Sequence, residues 1–492
     1  MRISRLDLAG VLLIGSIATL HCSAWSNHPP DVDPINFQTA LRSWDVTADS
    51  PHPPGYPLFV WLARGAAHLV GAGDAYQLVN LALLLGTALC LYLVFRHTAR
   101  PEIGFCAAAL LLTHPLAWAA TVIAESYISD AFLTCAALAC VFLLWNRPWA
   151  MVAGLAVTFF LLGLFRPVSC FLVLPLVAGA VLLAGEVRRP WLAGKACLAA
   201  MGSAILAYGL TAWMAGGLAI YRAASARVMG GAVRGSSVFA GAPLAAHVAM
   251  AGRLVGWNLL LAAPMLVLAA LCLMLRGRGL WAPRLAKPLA IGLLWWAPPF
   301  AFYALVYYLK PTYQLIYLPA LLIAAAWAIQ EGLPGWGRPA RWLLTGCLAA
   351  AQLAIFFLAP PSLPPQLFRL THGYFARQDA AWEELLRDLA PLRRPGTLLV
   401  WVEHPSLELY ALRLLDWPEP SAVPDPERRK LLYLKPSRMA WLPVTEESTT
   451  VSGRYDSAAL IAAENGHARV KLVRFDQAET RQAAALLALA AH

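Results

Sequence analysis

Apolar positions fill this chain in long blocks, separated by short polar loops rich in Pro, Gly and Arg. A helix that crosses a membrane needs about 20 apolar residues. Eleven windows of that kind are predicted: 7–25, 75–95, 102–121, 127–145, 149–165, 168–185, 196–218, 250–275, 288–309, 312–330 and 342–360. Two shorter stretches have mixed polarity. Residues 35–44 bring Ile35, Phe37, Leu41 and Trp44 near one helical face, with Asn36, Thr39 and Arg42 elsewhere. Residues 57–71 bring Leu58, Leu62, Ala66 and Leu69 to one face, with Arg64 and His68 off it. Both are predicted as helices lying in the membrane surface. Between them runs HPPGYP, His52–Pro57, which cannot continue either helix. Pro57 suits a first helical turn and Gly55 a tight turn before it. The segment reads as a stiff connector that aims His52 and Tyr56.

Composition and charge add a direction to this pattern. The 492 residues are 60% hydrophobic and 13% charged, against about 25% charged in an ordinary soluble domain. The net charge is +11. Residues 1–364 hold 22 Lys and Arg against 11 Asp and Glu, and residues 365–492 hold 16 of each. The excess therefore belongs to the apolar part, where basic loops set orientation. A nucleic-acid binder would need a basic face on a soluble domain instead. With the N-terminus inside, every inner loop is basic: Arg96 and Arg100; Arg147; Arg188, Arg189 and Lys195; Arg276, Arg278, Arg284 and Lys287; Arg338 and Arg341. An odd number of spans puts the tail outside. Met1–Trp25 is expected to be an uncleaved first span. All nine cysteines lie between Cys22 and Cys347 without metal-ligand spacing, and are expected to be small buried hydrophobes.

Two domains are expected: 1–364 in the membrane and 365–492 outside it. In the second, 397–404, 430–436 and 469–475 read as strands, and 380–390 and 481–491 as helices. The fold class is thus an all-α polytopic membrane protein with a small C-terminal α/β domain. The tail shows no Gly-rich phosphate loop and no nucleophile elbow.

Candidate chemistry gathers on the outer side. Of the eleven acids before residue 365, seven lie in or beside the first two outer loops: Asp31, Asp33, Asp45, Asp49, Asp74, Glu125 and Asp130. The loop 219–249 holds Arg222, Arg227 and Arg234 and no acid, and Arg166 and Lys310 stand at outer span ends. A carboxylate can take a proton from an acceptor hydroxyl, and cations can hold a leaving phosphate. A glycosyl carbon under attack also gains positive charge that nearby carboxylates stabilise. A sugar carried on a lipid phosphate fits such a site.

Several short motifs resemble the GT-C superfamily of multi-spanning glycosyltransferases, in particular bacterial relatives of the protein O-mannosyltransferases. They are Asp33-Pro34-Ile35-Asn36, His52-Pro53-Pro54-Gly55-Tyr56-Pro57-Leu58, Glu125-Ser126-Tyr127, Arg166-Pro167, and Lys310-Pro311-Thr312-Tyr313 with Leu318-Pro319. The resemblance spans about residues 1–360. It implies inverting transfer from a polyprenyl-phosphate sugar to an acceptor hydroxyl of a protein, lipid or glycan on the outer face of the inner membrane. Mannose follows only from the nearest branch. The family's first-loop catalytic Asp carries over to Asp33, with Asp31 its neighbour and competitor. Glu125 carries over as a second acid, for acceptor binding or support of the base. His52 is a rival base on its side-chain chemistry. Arg166 and Lys310 match motif positions expected to hold the donor phosphate, and Arg222, Arg227 and Arg234 join them by charge placement. Asn36, Tyr56, Tyr127 and Tyr313 are expected to line the substrate site. The resemblance requires no cofactor. A divalent metal stays open, although Asn36 stands where relatives often carry an acid. The alternatives are an O-antigen-type polymerase or ligase, and a transporter or flippase of a lipid-linked anion. A transporter should carry ionisable groups at mid-span, whereas here they gather at the outer ends.

Overall fold

The computed structural model describes residues 4–29, 32–184, 190–233, 236–258, 286–308, 310–333 and 335–389, and the strands 397–401, 430–435 and 438–443. The chain divides into two compact units, one of Met1–Asn27 with Ala40–Ala376, the other of His28–Thr39 with Arg377–His492.

The first unit is a helical bundle. α1 is Arg5–Cys22, and α2, Val32–Arg42, enters this unit at Ala40. α3 is Pro57–Val70, α4 Ala75–His97, α5 Pro101–Thr113, α6 Pro115–Thr121 and α7 Ile128–Leu143. α8 is Pro148–Phe165, α9 Pro167–Leu183, α10 Pro190–Met214 and α11 Leu218–Val233. Residues 244–258 form a further helix, α12. α13 is Ala286–Leu305, a 3-10 turn covers Pro311–Ile316, α14 is Leu318–Glu331 and α15 is Arg338–Leu358. Six of these helices begin on a proline. Its missing N–H would have no partner there and its φ already suits a helix.

Five helices are long and apolar enough to cross a membrane, and a sixth span results if α5 and α6, bent by 56° at His114, count as one. Five more apolar helices are shorter, among them α1, α7, α9 and α14. The eleven full-length spans read from hydropathy are therefore not all reached among the described residues. Helix breakers shorten several of them, and most of the 250–275 window lies outside those residues.

The bundle packs closely where small residues allow it. A Cβ on Gly163 of α8 would lie 2.7 Å from the Ala207 Cβ of α10, the small-on-small contact that lets apolar helices approach. At one end, Asp7 of α1 accepts from Arg96 Nη1 at 2.7 Å and from Tyr92 Oη at 2.8 Å, both on α4. The same end holds Arg100–Glu331 and Arg338–Glu102. α4, α5 and α14 run from these basic contacts to the other end, where the first loop and the candidate site lie.

The HPPGYP connector is a buried knot. Asp45 and Ser50 exchange backbone hydrogen bonds of 2.7 and 2.8 Å. Trp44 Nε1 donates to the Gly55 carbonyl at 2.7 Å, and Tyr221 Oη of α11 donates to the Pro54 carbonyl at 3.2 Å. Val46 is fully buried with Ala212 and Tyr221. Asp45 accepts from the Thr47 hydroxyl and backbone, which holds its carboxyl below the usual range. Gly55 has φ +88°, and a Cβ there would lie 2.7 Å from Val46 Cγ1 and 2.9 Å from Trp44. Gly55→Ala is expected to cost about 2 kcal/mol through strain and overpacking; an unchanged melting temperature of the purified protein would contradict this.

α3 presents two apolar faces. Of the stripe read from the sequence, Leu62 is 43% and Leu69 80% exposed, as on a helix that turns them to lipid, and Ala66 is buried. The buried stripe is Phe59, Val60, Ala63 and Ala66. α4 and α8 receive it, with the Phe59 ring 4.7 Å from that of Tyr76 and 6.0 Å from that of Phe165. Arg64 donates to the Ala40 and Leu41 carbonyls at the end of α2, filling acceptors that a helix end leaves open.

In the second unit, the His28 N–H donates to Asp379 Oδ1 at 3.0 Å. A three-stranded mixed sheet follows: β1 Thr397–Trp401, β2 Lys430–Lys435 and β3 Arg438–Pro443. β1 pairs in parallel with β2, and β2 antiparallel with β3. Two strands match those read from the sequence, and β3 was not among them. The expected strand 469–475 and helix 481–491 lie outside the described residues.

Candidate functional site

Three helix junctions build the site. The α6–α7 link carries Glu125 and Tyr127, with Asp130 in the first turn of α7. The α8–α9 junction is one residue, Arg166, held between Phe165 and Pro167. The α13–α14 connection carries Tyr308, Lys310 and Tyr313.

Asn80 of α4 shapes the first junction. Its Nδ2 donates to the carbonyls of Ile123 and Glu125 at 2.9 Å each. His21 closes the turn from behind. Trp25 Nε1 donates to His21 Nδ1 at 3.0 Å, so the proton on Nε2 faces Thr121 Oγ1 at 2.6 Å. Asn80→Leu is expected to cost about 1–3 kcal/mol, because buried carbonyls then lose their donor. The cost should appear as faster amide exchange confined to residues near 120–125, and a uniform loss of protection would argue against it.

Two ion pairs occupy the site. Arg166 Nε lies 3.0 Å from Asp130 Oδ2, with the Asp130 side chain 1% and the Arg166 side chain 13% exposed. Ser169 Oγ donates to the other Asp130 oxygen at 2.7 Å. The Arg166 guanidinium sits 4.4 Å from the Tyr127 ring centroid and 5.7 Å from that of Tyr313, within range of cation–π attraction. Lys310 Nζ meets Glu125 Oε1 at 2.7 Å.

Tyrosines line the rest. Tyr313 stacks on Tyr303 at 5.4 Å and lies 5.1 Å from Tyr127. Burial pushes the Tyr308 phenol up to about 12, so it stays protonated near neutrality and accepts from Gln314 Nε2 at 3.0 Å. Tyr303 Oη and Thr312 Oγ1 are buried here and accept or donate no hydrogen bond among the described residues. Trp295 Nε1 donates to the Ile316 carbonyl at 2.7 Å and ties this connection to α13.

Of the residues selected from the sequence, Glu125, Tyr127, Arg166, Lys310 and Tyr313 come together. Tyr56 contacts His52, 3.3 Å from Oη to Nε2. Arg227 is engaged elsewhere, donating to Asp49 Oδ1 and the Thr47 carbonyl at 2.9 Å each. Arg222 is exposed on α11. Asp33 stands in the first turn of α2 and Asn36 is buried one turn on, both in the second unit. Asp31 and Arg234 lie outside the described residues. Asp130, Ser169 and Tyr303 were not selected. Asp130 did carry a signal, since an acid inside an apolar helix is costly and rarely idle; Tyr303 and Ser169 carried none. No group of three or more His, Cys, Asp or Glu suited to a metal ion occurs among the described residues.

No protein-family model matches the chain, and no curated protein matches it. Solved structures do. ArnT from Cupriavidus metallidurans bound to undecaprenyl phosphate superposes with a TM-score of 0.56 at 14% identity, over 86% of this chain and 92% of that one. Its apo state gives 0.51 at the same identity and coverage. At such identity the likeness speaks for the fold alone: the chain shares the fold of these ArnT structures over most of its length.

Proposed function

We propose that this protein is an inverting membrane glycosyltransferase that moves a sugar from a polyprenyl-phosphate donor to an acceptor hydroxyl. The observation that carries the reading is Arg166, paired with Asp130 and packed beside the rings of Tyr127 and Tyr313. A guanidinium held by an ion pair through Nε and by two neighbouring rings leaves its terminal N–H groups for an anion, and a phosphate monoanion or dianion matches that fork. Lys310 supplies a second cation from the neighbouring junction. The shared fold with a protein whose structure holds undecaprenyl phosphate supports a lipid-linked donor.

In the reaction, the acceptor oxygen attacks the anomeric carbon opposite the phosphate. The bond from that carbon to the phosphate oxygen breaks, and its electron pair leaves with the phosphate beside Arg166 and Lys310. The hydroxyl proton passes to a carboxylate, the role that the family resemblance gives to Asp33, and acceptor binding is the role that it gives to Glu125. The site is assigned to the outer side of an inner membrane, because the basic loops gather at the opposite end. The C-terminal unit is assigned to the same side. Mannose is the first sugar to test.

The test is transfer in a defined membrane. Protein in nanodiscs is given labelled polyprenyl-phosphate sugars with an envelope extract as acceptor source, and released polyprenyl phosphate is followed. Release from one donor confirms the reading and names the sugar. No release from any donor would sink it.

A further inference from the structure

A second charged cluster stands at the end of α8 away from Arg166. The tripeptide Arg-Pro-Trp occurs twice, at 147–149 and 189–191. Each proline opens a helix, Pro148 that of α8 and Pro190 that of α10. The two helices run in parallel, since Lys195 meets Trp149 near their starts and Gly163 meets Ala207 near their far ends. Their first turns therefore stand side by side. Trp191 and Lys195 are four positions apart on α10, a spacing that brings two side chains together.

The Lys195 ammonium lies 4.8 Å from the Trp149 ring centroid and 5.1 Å from that of Trp191, within cation–π range of both. Trp149 is 69% and Trp191 55% exposed, and Lys195 and Arg147 are exposed as well. Among the described residues no carboxylate pairs with Lys195 or Arg147, whereas Arg96, Arg100 and Arg338 at the same end of the bundle each have one. A lysine that only sought water would extend away from the bilayer; this one lies against two rings and is still open to a ligand.

α8 and α10 are both long and apolar enough to cross a membrane, so their first turns lie at a bilayer surface, where indoles concentrate. We infer that Arg147, Trp149, Trp191 and Lys195 form a binding site for a glycerophospholipid with an anionic headgroup. Its phosphate takes charge-assisted hydrogen bonds from the ammonium and the guanidinium, and its glycerol and upper acyl chain lie on the exposed indoles. Bound lipid fixes the level of α8 in the bilayer, and with it the level of Arg166 at the far end of that helix.

The test uses full-length protein labelled with 5-fluorotryptophan in phosphatidylcholine nanodiscs, with phosphatidylglycerol added in rising proportion. The fluorine signals of Trp149 and Trp191 are identified through Trp149→Phe and Trp191→Phe. Both signals are expected to shift saturably as phosphatidylglycerol is added. Lys195→Gln should need about fivefold more of it for half the shift, the usual effect of one basic residue near an anionic lipid. Lys195→Arg, which keeps the charge, should stay near wild type. Signals that do not move with phosphatidylglycerol overturn the site, and so does Lys195→Gln titrating like wild type. The same shift produced by inorganic phosphate in plain phosphatidylcholine discs would replace the lipid by a free anion and overturn the assignment. Melting curves separate a lost site from a lost fold, and the wild-type titrations decide between lipid and free anion without any variant.

Discussion

Arg166→Gln is expected to destabilise the helical unit by about 3–5 kcal/mol, the usual result of stripping one partner from a buried ion pair. Asp130 is 1% exposed and would be left with Ser169 as its remaining partner among the described contacts. Much of the loss is the cost of an uncompensated carboxylate rather than the worth of the pair. Arg166→Gln combined with Asp130→Asn is therefore expected to regain most of the lost stability, because the two neutral amides can hydrogen-bond each other and the Ser169 hydroxyl. Donor binding should not return with it, since the fork that receives the phosphate is gone from both variants. Thermal melts in detergent read the first effect and undecaprenyl phosphate binding the second. If the single variant melts like wild type, the ion pair is not a structural element. If the double variant binds donor normally, Arg166 does not hold phosphate.

Asp33→Asn is expected to lower transfer by roughly 10²–10⁴-fold, the range that a positioned proton acceptor contributes. The substitution keeps size and shape, so melting temperature and membrane insertion should be unchanged. Asp33 lies in the first turn of α2. His52→Gln makes the comparison. His52 shares its Nε2 with the Tyr56 hydroxyl within the first-loop knot, and its replacement is expected to leave the rate near wild type. A large loss at His52 with little at Asp33 would transfer the role of base to the imidazole.

Much of the architecture was legible because its causes are local. A block of apolar residues can satisfy its backbone in a membrane only as a helix, and a proline after Arg147 or Arg166 marks a helix start without reference to the rest of the chain. Arg166, Lys310, Tyr127 and Tyr313 could be selected because short motifs name them. What residue order could not decide concerns partners far apart along the chain. Asp49 and Arg227 are 178 positions apart, and Glu125 and Lys310 are 185 apart; Lys310 has a motif to mark it, whereas charge placement alone joins Arg227 to the phosphate. In the folded protein α11 instead brings Arg227 onto the first loop. α3 shows the same limit for packing, since which of its apolar positions meet α4 and α8 is settled only in the fold. Many of the helices, several of their proline starts and which end of the bundle is basic could be read from residue order, because hydropathy, proline geometry and loop charge act over a few residues; the stretch read as the loop 219–249 instead holds most of α11. That Asp130 braces Arg166 and that Glu125 holds Lys310 became visible only in the packed bundle. An ion pair forms where packing brings two side chains within a few ångströms, and that distance is set by every helix between them.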